Sequence, residues 1–196
     1  MRTENHIAFK EWASVVGALA RGKQILILRK GGIREEGGEF HAEYDEFFLF
    51  PTYEHQNKAD LKPEAHRDLE TTIQTKPSLD QLPIRYYAKT VGVIHMTEEN
   101  ELTQLAPYHI WSDEAVRKRF DFGRQKGLFA IAVRIFVLPA PHLIQVTPEY
   151  SGCKSWVELK QGLSTRGAQA VLSDADFQKN WRLISSLFLK SRQKTG

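Results

Sequence analysis

Residues Gly22 to Gln56 read GKQILILRKGGIREEGGEFHAEYDEFFLFPTYEHQ. Gln24 to Leu28 is apolar on both alternating faces, Ile25 and Ile27 on one and Leu26 and Leu28 on the other, the pattern of a strand covered on both sides. It delivers Arg29 and Lys30 into Gly31-Gly32. A second glycine pair, Gly37-Gly38, marks another turn, and Glu46 to Phe50 reads as a second strand ending at Pro51. The charge divides just as sharply. From Glu35 to Gln56 stand Glu35, Glu36, Glu39, Glu43, Asp45, Glu46 and Glu54, with no Lys or Arg among them. A basic strand end beside a Gly-Gly turn suits a phosphate or a base edge, whereas an unbroken acidic stretch repels polyanions. The segment therefore predicts a binding edge joined to a face that nucleic acid avoids.

Outward from this block, Ile7 to Ala20 reads as a helix, with Ala8, Phe9, Trp12, Val15, Val16 and Leu19 at helical spacing, and Gly22 stops it. Lys58 to Leu82 is polar, broken by Pro63, Pro77 and Pro83, with a short helix over Glu64 to Gln74. Ile84 to Met96 is the next strand. Helices follow around Glu98 to Leu105 and Asp113 to Phe120, the latter N-capped by Ser112. Leu128 to Leu138 and Lys154 to Leu159 complete the strands. The last helix opens at Ser173 with Asp176 as a capping-box variant, and Phe177, Trp181, Ile184, Leu187 and Phe188 form its stripe. Strands mixed with short helices, without regular β-α alternation, predict an α+β fold: a small mixed, mainly antiparallel β-barrel with flanking helices and a C-terminal helix. The expected division is residues 1–162 as the barrel domain and 163–196 as a helical extension packed on it.

At 196 residues, 41% hydrophobic and 26% charged, the chain reads as an ordinary globular protein. No apolar run is long enough to span a bilayer, and MRTENHIAFKEW lacks the apolar core of a secretion signal. The lone Cys153 excludes an internal disulfide framework, so a cytoplasmic location and no membrane partner are expected. A net charge of +3 does not by itself imply nucleic-acid binding; local clustering has to.

Arg29 and Lys30, with Lys23 and Arg34 nearby, form the first candidate site; the alternative is local pairing with Glu35 and Glu36. Arg117, Lys118, Arg119, Arg124 and Lys126, interleaved with Phe120 and Phe122, form a second basic group. It is able to hold a backbone while rings stack on bases, or else to stand as a solvated helix face. The run Lys190, Arg192, Lys194 reads as a soluble tail. His41, Glu43 and Asp45 share one face if their segment is a strand, with His55 following, but the spacing lacks a zinc pattern and no metal or other cofactor is expected. Cys153 reads as structural, since no base beside it is evident. Pro148-Glu149 with Glu158-Leu159-Lys160 mimics the spaced carboxylates and lysine of metal-dependent nucleases. A small hydrolase, either such a nuclease or a nucleoside amidohydrolase, is thus an alternative. A protein-interaction module using the acidic stretch as its contact surface is another.

The strings LRKGGI, FPTYEHQ, HIWS with RF, and SGCKSWVEL resemble an uncharacterised prokaryotic domain-of-unknown-function family over roughly Phe9 to Leu159. The order of elements also resembles the PUA-like superfamily, especially ASCH domains. Those begin with a helix and a GxKxxExR signature at the start of a strand. Gly22 and Arg29 stand at the signature's separation, while Lys23 is displaced, Gln24 takes the lysine's place and Ile27 replaces the glutamate. YYAKTVGVIHM, ELTQL and FAIAVRIFVLPAP resemble the strand, short helix and closing hairpin that follow. This resemblance implies a barrel cleft that binds RNA or a modified nucleobase or nucleoside. Lys23, Arg29, Lys30 and Arg119 supply charge in that reading, and Tyr53, His55, His109 and Trp111 supply stacking and edge contacts.

Overall fold

The segment expected to be one helix over Ile7–Ala20 is a strand followed by a helix, β1 (Glu4–Trp12) and α1 (Ala13–Ala20). Ile7, Ala8 and Phe9 are all buried because β1 lies between two other strands and has core on both faces. Burial on both sides erases the period-2 signal and leaves apolar spacings that fit a helix equally well. The computed structural model describes residues 1–31, 33–36, 39–77, 80–152 and 154–192. Gly32, Gly37, Gly38, Cys153 and Lys194 fall outside the described residues, as do the side chains of Arg34, Glu35, Glu36, Lys190 and Arg192.

After α1 come β2 (Leu26–Arg29), the hairpin β3 (Ile33–Glu36) and β4 (Glu39–Ala42), β5 (Glu46–Thr52) and α2 (His66–Gln74). The long strands β6 (Gln81–Met96) and β7 (Leu128–Gln145) flank α3 (Glu99–Leu105) and α4 (Asp113–Asp121). β8 (Trp156–Ser164), β9 (Gln169–Ala170) and α5 (Asp174–Arg192) follow. The result is a mixed α+β fold. Its main sheet has seven strands in the order β2-β7-β6-β5-β1-β8, with β9 added on β7. All ladders of that sheet are antiparallel except β1 with β5, which run parallel from Ala8↔Phe48 to Trp12↔Thr52. Among the described residues no ladder joins β2 to β8, so the backbone pairing leaves two ends.

The sheet carries core on both faces. Phe9, Phe47, Leu49 and Ile131 belong to one cluster with α1, α4 and α5; Ala8, Phe48, Phe50 and Tyr87 belong to a second with Leu138, Ile144, Val157 and Leu163. β7 reaches both clusters by passing through an irregularity. Val137 pairs with Tyr86 and His142 with Ile84, which places Pro139 and Pro141 where the ladder is broken and no proline N–H is missed. β7 thereby extends past the strand expected to end at Leu138.

Ser112 accepts from the Ala115 N–H at 3.3 Å, and Ser173 caps α5 by accepting from the Asp176 N–H at 3.1 Å, as the sequence predicts for both helices. Phe177, Ile184 and Phe188 lie in the same cluster as the sheet residues Phe9 and Phe47. Two glycines make this docking possible. Gly22 turns the chain at φ +65°, and a Cβ there would sit 2.6 Å from Leu172. A Cβ on Gly92 would meet the Trp181 ring at 2.7 Å. Overpacking of that kind typically costs about 1–3 kcal/mol. We expect Gly92→Ala to lower stability by that amount in urea denaturation, and the added Trp181→Ala to cost less than it does in the wild-type background. Strict additivity of the two losses would mean that Trp181 does not cover Gly92. No helix among the described residues is long and apolar enough to cross a membrane.

Candidate functional site

Because β1 and β5 run parallel, their carboxyl ends open at the same edge of the sheet, and a cleft of about 540 Å³ lies there. β1 contributes Lys10, Glu11 and Trp12; β2 contributes Arg29; β5 and the loop after it contribute Phe50 through His55. Lys76 and Pro77 after α2, with Tyr150, Ser151, Gly152, Lys154 and Ser155, close the remaining sides. The volume falls within the range of small-molecule sites.

Each wall is held by specific bonds. The Arg29 guanidinium lies 4.3 Å over the Phe9 ring and donates from Nη2 to the Lys10 carbonyl, which fixes its head at the cleft edge. The Lys10 backbone N–H donates to the Ser155 carbonyl at 2.8 Å and its Nζ to the Gly152 carbonyl at 2.9 Å, tying Gly152 and Ser155 to β1. The TYEHQ turn is pinned at both ends. Thr52 Oγ1 donates to the Glu11 carbonyl at 3.1 Å, while Gln56 Oε1 accepts from the Ser14 N–H and hydroxyl at 3.1 and 2.7 Å. Between these ties His55 takes φ 60°, a left-handed conformation that a histidine holds only when its surroundings impose it. Burial raises the Tyr53 pKa above its ordinary value, against the opposing charge of Arg85, so its hydroxyl stays protonated and able to donate.

Of the residues expected to bind, Arg29, Tyr53 and His55 come together in this cleft. The other five take structural positions. Lys23 and Arg21 both pair with Asp68 at 2.8 Å, and the hydrogen bond from Lys23 leads the causes that hold the Asp68 carboxyl below its usual pKa. Lys30 Nζ donates to the carbonyls of Phe120, Gln125 and Gly127 at 3.0, 2.6 and 2.8 Å, so it caps the end of α4 from across the chain. His109 and Trp111 are 5% and 1% exposed. Ile110 between them donates its N–H to Gln24 Oε1 at 3.1 Å, which makes the HIWS string a buried junction. Arg119 folds inward, 3.4 Å over the Trp111 ring and 5.8 Å from that of Trp12.

Lys126 of the second basic group pairs with Asp121 at 3.0 Å and Glu99 at 3.7 Å, and Phe120 is buried. None of Arg117, Lys118, Arg124 or Lys126 lines the cleft. β4 ends at Ala42 and β5 begins at Glu46, so His41, Glu43 and Asp45 do not share a strand face. No group of three His, Cys, Asp or Glu side chains converges for a metal among the described residues. Glu158 stands 3.5 Å from His6 and Glu149 pairs with Lys160 at 3.2 Å, on exposed side chains away from the cleft wall. Glu46, within the acidic stretch, is structural. Burial works to raise its pKa, but the Arg2 N–H, the Tyr87 hydroxyl, the chain amino group and Lys89 outweigh it and hold the carboxyl below its usual value.

The cleft also holds residues that the sequence did not single out for binding, among them Lys10, Glu11, Trp12, Glu54, Lys76, Tyr150 and Lys154. The signal for the first three is the polar pair Lys10-Glu11 closing the apolar run Ile7-Ala8-Phe9, which marks a strand end once the helix assignment is set aside.

A family model described as a domain of unknown function, DUF1802, matches residues 8–182. No curated protein matches the chain. Among solved structures, the crystal structure of ASCH from Zymomonas mobilis is similar at 12% identity, covering 88% of this chain and 91% of that one, with a TM-score of 0.46. A tyrosine-to-phenylalanine mutant of the same protein is similar at 12% identity, with 88% and 94% coverage and a TM-score of 0.45.

Proposed function

We propose that this chain, which belongs to the DUF1802 family, binds RNA or a nucleoside-like ligand in the cleft at the carboxyl ends of β1 and β5. The observation that carries this reading is the composition of one cleft. Lys10, Arg29, Lys76 and Lys154 line it against two carboxylates, Glu11 and Glu54, and Trp12, Tyr53 and Tyr150 share its walls. Cations that hold phosphates beside rings that stack bases are the two elements of single-strand recognition. Arg29 is the best placed of the cations, since Phe9 beneath it fixes a planar, multiply donating head. The same reading takes the doubly covered, bent sheet as a PUA-like barrel whose rim is this cleft.

Lys76 and Lys154 are exposed, so removing them tests the site without disturbing the core. The Lys76→Ala/Lys154→Ala variant is expected to bind a short single-stranded RNA roughly tenfold more weakly. Its plot of log affinity against log salt should be shallower by about 1.4, two lost phosphate contacts at about 0.7 each. Trp12 in the cleft wall supplies an intrinsic fluorescence signal, with Trp12→Phe as its control. Unchanged affinity and salt slope, or no binding of RNA, nucleotides or nucleosides by the wild type, would remove the proposal.

A further inference from the structure

Resting on that reading, we infer that Glu11 selects the base: its unpartnered carboxylate oxygen accepts a hydrogen bond from an exocyclic amino group of a nucleobase seated in the cleft. Glu11 forms part of the cleft wall and is only 4% exposed. Its Oε1 accepts from the Trp12 N–H at 2.7 Å, whereas its Oε2 is buried with no hydrogen-bond partner. A buried charged oxygen left unbonded is costly, and native structures keep such groups where something else completes them.

The surroundings balance the charge without satisfying the oxygen. Phe9 and Glu11 are two apart on β1 and so share a face, and Arg29 lies over Phe9. Arg29 is engaged with the Lys10 carbonyl through Nη2, and its Nε makes no hydrogen bond. Arg119 feels the attraction of Glu11 and the repulsion of Arg29, yet its guanidinium lies on Trp111 and its Nη1 is likewise without a partner. The nearby Thr52 hydroxyl donates to the backbone carbonyl of Glu11 and not to its side chain. The carboxylate is thus electrostatically compensated while one acceptor has no hydrogen bond; that oxygen lies behind the cleft surface, so the side chain turns toward a bound base to meet its amino group.

A carboxylate only accepts, so it favours a base edge presenting an amino group. A keto oxygen in the same place sets lone pair against lone pair and leaves Oε2 unbonded. Buried polar sites reject the wrong partner for that reason, more strongly than they reward the right one. Two nucleotide pairs test the effect: CMP against UMP, and AMP against IMP, each exchanging amino for keto and the adjacent ring nitrogen from acceptor to N–H donor; 3-methyl-UMP and 1-methyl-IMP, whose ring N–H is blocked, control for that donor.

In fluorescence titration the wild-type protein should bind CMP about tenfold or more tightly than UMP, and AMP similarly more tightly than IMP. Glu11→Gln, which keeps the shape and adds a donor, should bring each pair close to parity, and with one negative charge fewer beside Arg29 it should bind inorganic phosphate at least as tightly as the wild type. Equal binding of the paired nucleotides by the wild type, which needs no variant to fold, would overturn the inference. So would a preference that survives in Glu11→Gln, which would make Glu11 a structural counter-charge for Arg119. Binding of phosphate or RNA with no base preference would sink this inference alone. Failure of every nucleotide and RNA to bind would instead overturn the reading of the cleft on which it rests.

Discussion

Phe9→Ala is expected to destabilise the protein by about 3–5 kcal/mol, the range for emptying a large aromatic site in a packed core. Phe9 is fully buried and meets three groups whose positions depend on it. Its ring centroid lies 4.5 Å from that of Trp156 and 5.4 Å from that of Phe47, and the Arg29 guanidinium stands 4.3 Å above it. The first two contacts join β1 to β8 and β5, so the loss falls on the centre of the sheet. For a chain of this length the corresponding fall in Tm is roughly 6–20 °C. Phe9→Leu separates the two roles of the ring. It keeps most of the apolar volume and should cost less than about 1.5 kcal/mol, while removing the face on which Arg29 rests. Phe9→Leu should therefore weaken RNA binding more than its stability loss accounts for. Urea denaturation followed by circular dichroism gives the first quantity and titration the second. A Phe9→Ala loss below about 1 kcal/mol would mean that the β1–β5–β8 centre is not packed on this ring, and an unaltered affinity in Phe9→Leu would detach Arg29 from it.

The same residue shows what the sequence can and cannot reveal. Phe9 is legible as core from its chemistry alone, but its element is not. Ala8, Phe9, Trp12 and Val15 recur at helical intervals because a strand with core on both faces has no polar side to alternate against. The sheet strands around Leu26, Phe48 and Ile131 and the caps at Ser112 and Ser173 were readable because each rests on a short-range pattern. The parallel pairing of β1 with β5 is long-range, and only that pairing places Lys10, Glu11 and Trp12 beside Tyr53 and His55. Residue type points to Arg29 and Lys30 equally. The difference between them lies about ninety residues away, where the end of α4 and the loop after it offer Lys30 three carbonyls, while Arg29 turns to the Lys10 carbonyl. In His109 and Trp111 the chemistry suited a ligand, yet Gln24 and Lys62 bind the backbone around them and draw both rings inside.

That burial of His109 has its own consequence: stability should fall by about 2 kcal/mol between pH 7.5 and pH 5 because of this one ring. Burial chiefly, with the positive charges of Lys62 and Arg119, pushes its pKa down to about 3 from an ordinary 6.5. Between those two values the unfolded chain binds a proton that the folded protein refuses. Proton uptake on unfolding makes stability rise with pH, so it is lost as the pH drops, at up to about 1.4 kcal/mol per unit. Above pH 6.5 both states are neutral and the effect vanishes. Glu46 and Asp68, with pKa values held below 4.5 and 3.8, act in the same direction but only at lower pH, as protonation ends their pairing. The window from pH 6.5 to 5 therefore isolates the histidine from these two carboxylates. His109→Leu removes the proton acceptor and should flatten that part of the pH–stability curve, whatever it does to the absolute stability through repacking. Urea titrations of both proteins at pH 7.5, 6 and 5 measure the difference in slope. Parallel curves would show that the ring is protonated in the folded state as readily as in the unfolded chain, and would put His109 within reach of solvent or of a ligand after all.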